Sequence, residues 1–174
     1  RRARARHLSR ASRAPRRYGR LVRRELRETA PALALSAPAL GAQGVCICLS
    51  GERDRAFVSF KGTVERLSER DLDKRALLGR GVGHVHFSAF YDCTALRPAI
   101  GSLVEQIRRA GATVSLTSQS DHTGAYGGGL HELLPKLDVL ICNEDELLAI
   151  AHEADFEAAL AALLARGLRL LVVT

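Results

Sequence analysis

From residue 64 onward the apolar positions fall into short runs that alternate between a strand-like and a helix-like rhythm. His84-Val85-His86-Phe87 reads as a short strand. Leu96, Ile100, Leu103, Val104 and Ile107 share one helical face, Arg108 and Arg109 fill the last turn, and Gly111 stops it. That spacing predicts a helix over 96–110. The pattern continues with a strand over 113–116, a short helix in His131-Glu132-Leu133-Leu134, and a strand over 138–141. Helices follow over 143–152 and 156–165, then a strand over 168–173. Alternating strands and helices with short links imply a parallel sheet with helices on both faces. The strands lack clean polar alternation, as buried parallel strands do. Ser68 with Asp71 three residues on resembles a capping box.

Ahead of this series lie two β-rich runs, 45–50 (VCICLS) and 55–60 (RAFVSF), joined by Gly51-Glu52-Arg53-Asp54. They predict an antiparallel hairpin. Its apolar residues fall on both faces, so cover on both sides is expected. A hairpin placed before a βα series acts as a flap or a dimer clasp, or is an edge hairpin without a role. Leu21, Val22 and Leu26 sit at helical spacing before Pro31.

Composition adds limits. The 174 residues suit one domain with a real core. No apolar run reaches about 18 residues, so no membrane-spanning helix is expected. The net charge of +7 is unevenly placed. Residues 1–30 hold twelve Arg and two Glu, while 31–174 hold fourteen Lys or Arg against seventeen Asp or Glu. The body is mildly acidic, so the overall basicity does not argue for nucleic-acid binding by the folded part. Residues 1–18 are Arg-rich and acid-free, a composition that builds no core and is expected to be disordered. An organelle transit segment, a nucleic-acid-binding arm and an artefact of gene modelling remain open for it. The chain has no Met and ends inside an apolar run, and both ends read as cut. Four Cys occur without a CxxC pair. They are expected to be small buried hydrophobes in a reducing compartment.

The best candidate chemistry is Asn143-x-x-Glu146, where a strand runs straight into a helix. In open α/β folds that edge binds ligands. A carboxylate there can hold Mg²⁺ directly or through water, and an amide can hold a phosphate oxygen or a metal-bound water. A helix N-terminus favours anions. The plain alternative is a helix cap with acids complementing the dipole. His84 and His86 could form a metal pair but have no third ligand. Gly127-Gly128-Gly129 is not followed by Gly-Lys-Ser/Thr, so it reads as a turn leading into a helix.

The text from about Gly19 to Thr174 resembles the ribokinase-like carbohydrate kinases of the PfkB family. The resemblance is carried by CICLSGERDRAFVSFKGTVERLSERDL, HVHFSAF, the 96–110 helix with GATVSL, and HELLPKLDVLICNEDELLAI. It implies a three-layer α/β/α sheet, mostly parallel, with a small lid hairpin at about 45–60 that makes a dimer contact. The activity implied is transfer of the ATP γ-phosphate to a sugar hydroxyl, with Mg²⁺ and ATP as cofactors. Asn143 and Glu146 then belong to the shell of the metal and the ATP phosphates, and Thr174 lies near the nucleotide. The family's Gly-Gly-Asn opening is absent from the Arg-rich front. Its Gly-Ala-Gly-Asp segment, which carries the catalytic base, is not among these residues, so the chain is expected to be inactive alone. Thr117 stands where many relatives carry an Asp. Competing readings are a non-catalytic kinase-like binding or dimerisation protein and a basic-armed nucleic-acid binder. A cytoplasmic location is expected, or an organelle if the front is a transit segment.

Overall fold

The structure, a computed structural model, describes residues 17–29, 41–52, 55–79 and 81–174. The Arg-rich segment lies outside the described residues up to Arg16. The chain divides into two compact units, Arg1–Leu72 and Asp73–Thr174.

The first unit holds helix α1 (Arg17–Thr29) and strands β1 (Val45–Ser50) and β2 (Arg55–Phe60). The strands pair antiparallel from Val45–Phe60 to Ser50–Arg55, the predicted hairpin. The pairing sorts the side chains. Val45, Ile47, Leu49, Ala56, Val58 and Phe60 share one face, and Cys46, Cys48, Ser50, Arg55, Phe57 and Ser59 share the other. Both faces are exposed, with Ile47 at 55% and Phe57, Val58 and Phe60 each at 58%. Two expectations are therefore corrected. The strands are not covered on both sides, and Cys46 and Cys48 are exposed rather than buried. A two-stranded ribbon has no second layer of its own to hide either face. Gly62 closes the unit's return at φ +60°, where a Cβ would stand 2.5 Å from the Ala42 carbonyl oxygen. Only glycine fits there. Downstream, Asp71 accepts both the N–H (2.9 Å) and the hydroxyl (2.7 Å) of Ser68, the capping contact the sequence signalled.

The second unit runs α2 (Lys74–Leu77), β3 (His84–Phe87), α3 (Arg97–Arg109), β4 (Thr113–Thr117), α4 (Leu130–Leu133), β5 (Val139–Cys142), α5 (Glu144–Ala151), α6 (Phe156–Ala165) and β6 (Leu171–Val173). The predicted elements are present. The last strand starts three residues late, although Leu170 already accepts the Leu140 N–H at 3.0 Å. The four strands are parallel and stand in the order β3-β4-β5-β6. Strands laid side by side in chain order with right-handed crossovers place every connecting helix on one face of the sheet.

Burial agrees with that topology. Val114, Leu116, Leu140 and Cys142 point to one face and are at most 2% exposed. They pack with the inward residues of the helices, among them Ile100, Leu103, Ile107, Leu147, Ile150 and Leu163. Each such side chain contributes about 1.5–3 kcal/mol on burial. The opposite face carries His84, His86, Thr113, Thr117, Val139, Ile141 and Val172, all partly or well exposed. Among the described residues of this unit, then, the sheet has one helical layer.

Candidate active-site edge of the sheet

The carboxyl ends of β4, β5 and β6 bring together the residues after each strand. Asn143 follows β5 with extended backbone (φ −86°, ψ 176°), and its Oδ1 accepts the Glu146 N–H at 2.8 Å. It is thus the N-cap of α5, which satisfies one orphan donor of the first turn. The cap occupies the amide oxygen, and the exposed Asn143 Nδ2 is left as a donor at the edge. Glu144 and Asp145 are exposed beside it. Glu146 differs: it is only 8% exposed.

The partner of Glu146 is a residue the sequence reading passed over. Ser118, fully buried just after β4, donates its hydroxyl to Glu146 Oε2 at 2.8 Å. The available signal was register. Thr117 pairs with Ile141, so the residues after the two strands come side by side. Glu146 Oε1 takes no hydrogen bond among the described residues. Burial pushes the Cys142 thiol up to about 11, and the nearby Glu146 charge adds to that. Thr174, exposed, donates its N–H to the Cys142 carbonyl at 3.1 Å and so lies beside Asn143.

The loops after β3 and β4 are held to one another. Phe90 N–H donates to the Thr117 carbonyl (3.3 Å) and Tyr91 N–H to the Ser118 carbonyl (3.4 Å). Ala89 (φ 61°), Gln119 (φ 59°) and Tyr126 (φ 48°) turn these loops through the left-handed region. Such turns cost energy at non-glycine residues and collect where a loop must be aimed. Tyr91 packs edge-on against Phe90 (5.0 Å) and Tyr126 (5.5 Å), and its hydroxyl donates to the Gly127 carbonyl at 3.2 Å. Arg97 lies over the Tyr91 ring at 5.7 Å. The triple glycine is a lead-in, as expected, with Gly129 at φ 89° before α4.

His84 and His86 do not form a metal pair. Thr113 Oγ1 donates to the Gly83 carbonyl at 3.1 Å and so accepts from His84 Nδ1 at 2.7 Å. His84 Nε2 and His86 Nδ1 both bond Ser115 Oγ, at 2.7 and 2.8 Å, and His86 Nε2 meets Thr117 Oγ1 at 3.2 Å. Every ring nitrogen is committed to a hydroxyl. Among the described residues no cluster of three His, Cys, Asp or Glu could hold a metal by protein ligands alone, and no helix is long and apolar enough to cross a membrane.

Known proteins share this architecture. The profile of the pfkB family carbohydrate kinase matches residues 39–174. Among solved structures, a PfkB protein from Polaromonas sp. JS666 superposes with a TM-score of 0.75 at 17% identity, over 96% of this chain and 59% of that one. A probable sugar kinase from Rhizobium etli CFN 42 gives 0.76 at 21% identity, over 92% and 50%. A putative ribokinase II from E. coli in complex with ATP and Mg²⁺ gives 0.73 at 19%, over 95% and 55%. None of the curated proteins matches. The chain spans between half and three-fifths of the length of these structures. A parallel sheet with its helices and a separate hairpin is the ribokinase-like fold, here incomplete. The chain belongs to the pfkB family of carbohydrate kinases.

Proposed function

We propose that this chain is the part of an ATP-dependent sugar kinase that holds the metal and the ATP phosphates, the parent reaction being transfer of the γ-phosphate to a sugar hydroxyl. The observation that carries the reading is Glu146: a buried carboxylate at the carboxyl edge of the sheet, held through one oxygen and without a hydrogen bond at the other among the described residues. The donor set fits Mg²⁺. That ion keeps several waters and takes one or two carboxylates plus substrate phosphates, so it needs no cluster of protein ligands. When bound, it supplies charge that neutralises the phosphate oxygens. Glu146 Oε1 would hold the ion directly or through water. Asn143 Nδ2 and the Glu144 and Asp145 N–H groups, the first-turn donors of α5 that the cap leaves over, would donate to a phosphate oxygen, and Thr174 would lie near the nucleotide. The putative ribokinase II with ATP and Mg²⁺ supports the cofactor assignment by shared fold.

The sequence given contains no Gly-Ala-Gly-Asp, the segment from which the family resemblance draws the base. These 174 residues are therefore inactive by themselves on this reading. The test is calorimetric titration with Mg²⁺–ATP, together with a coupled assay over a panel of sugars. Binding that Glu146→Gln weakens, with no turnover, is the expected result. Unchanged affinity in Glu146→Gln removes the metal-shell role, and steady sugar phosphorylation by the purified chain removes the inactivity.

A second reading concerns the hairpin. One of its faces is wholly apolar and exposed, which favours a homodimer through β1 and β2 and keeps open a non-catalytic dimerisation role.

A further inference from the structure

The geometry points to Ser118 as the positioning residue that aims Glu146 at the metal, an inference that rests on the proposed function. Three observations carry it. The Ser118 hydroxyl is fully buried and donates to Glu146 Oε2 at 2.8 Å. Ser118 is itself held, since its carbonyl accepts the Tyr91 N–H at 3.4 Å and its neighbour Thr117 accepts the Phe90 N–H at 3.3 Å. Directly after it, Gln119 turns the chain away at φ 59°, so the serine sits at the last position before the backbone leaves the sheet.

The consequence is a division of labour at one carboxylate. A glutamate side chain has three free torsions, and the Asn143 cap fixes only the backbone from which it springs. The hydroxyl of Ser118 pins one oxygen. That choice leaves Oε1 as the metal-facing atom and keeps it from swinging onto the helix's own N–H groups. Outer partners of this kind orient the ligand before the ion arrives. The contact crosses from the β4 loop to α5, so it also ties the placement of the carboxylate to the loop that Tyr91 and Phe90 brace. A purely structural role, filling the hydrogen-bonding need of a buried acid, would show in stability alone.

The experiment is Mn²⁺ binding to the 174-residue chain, followed by electron paramagnetic resonance with and without ATP, alongside metal-free ATP binding by calorimetry. Ser118→Ala and the near-isosteric Ser118→Cys are each expected to weaken Mn²⁺ affinity about tenfold, in line with the loss of an outer hydrogen-bonding partner. Ser118→Thr, which keeps the hydroxyl, retains it, and metal-free ATP binding stays the same in all three. Glu146→Gln separates the two claims. If Glu146→Gln weakens Mn²⁺ binding while Ser118→Ala and Ser118→Cys do not, Ser118 is no positioning residue and the proposed function stands. If the wild-type chain does not bind Mn²⁺ with ATP, or Glu146→Gln leaves binding unchanged, the metal reading falls and this inference falls with it.

Discussion

Asp138 clasps Val114 at two points: its N–H donates to the Val114 carbonyl at 2.9 Å, and its Oδ2 accepts the Val114 N–H at 2.8 Å. The clasp fixes where β5 starts against β4. A slip of one residue there would turn Leu140 and Cys142 out of the core and move Asn143 off the edge. Oδ1 accepts in addition from Arg169 at 3.0 Å and Arg108 at 3.3 Å. Asp138→Ala should therefore cost about 2 kcal/mol at neutral pH, the range for hydrogen bonds to a charged group, measured by urea denaturation.

The same clasp predicts a pH dependence. Burial raises the Asp138 carboxyl's pKa, but the Val114 N–H, the Arg169 hydrogen bond and the charges of Arg108 and Arg169 outweigh it and hold the pKa below the usual carboxylate value. A depressed folded pKa means stability that is fully present above the unfolded value, about 3.9, and lost as pH falls through the folded one. The stability gap between wild type and Asp138→Asn should thus be widest at neutral pH and shrink below about pH 4. A gap that widens on acidification contradicts the assignment.

Asn143 carries two roles that substitutions can separate. Asn143→Ala removes the cap and should cost about 1 kcal/mol. Asn143→Asp keeps a capping oxygen, so stability should stay near wild type. It loses the Nδ2 donor and adds a charge where phosphates would sit, so Mg²⁺–ATP affinity should fall in both variants. Thermal unfolding beside calorimetry reads the two effects apart. Equal ATP affinity in Asn143→Asp would confine this residue to capping.

The second unit was legible in the sequence because its signals are local. The 96–110 periodicity, the Asn143 cap and the Gly129 lead-in each act within one or two turns, and each is found. What the sequence hid depends on contacts far apart in the chain. Ser118 meets Glu146 only through the register of β4 against β5, 28 residues apart. The helices sit on one face because the strands stand in chain order, which apolar spacing does not encode. His84 and His86 had no role in the sequence beyond a metal pair lacking a third ligand, and the hydroxyls of Thr113, Ser115 and Thr117 on the neighbouring strand supply their partners.

The four thiols should react in two classes. Cys46 and Cys48 are exposed on the hairpin, while Cys93 and Cys142 are buried. Burial raises the pKa of both inner thiols, to about 11 for Cys142, which leaves little thiolate at neutral pH. Ellman's reagent at pH 8 should label two groups quickly, and mass mapping should place them at residues 46 and 48. The other two should appear only in denaturant. Early labelling of Cys142 would contradict the packing of β5.

The hairpin should drive self-association through one face rather than both. Val45, Ile47, Leu49, Ala56, Val58 and Phe60 form an unbroken apolar surface, whereas the reverse carries Ser50, Arg55 and Ser59 among its residues. Two such faces stacked as sheets pack about 10 Å apart and remove the apolar side chains from water. A charge in the middle of the apolar face would have to be buried without a partner, at a cost of several kcal/mol, so Val58→Asp should convert a dimer to a monomer. Ser59→Asp, one residue on and pointing the other way, should leave the dimer intact. Sedimentation equilibrium at micromolar concentration distinguishes these cases. A wild-type chain that stays monomeric there, or a Ser59→Asp variant that dissociates as readily as Val58→Asp, would rule out the apolar face as the contact.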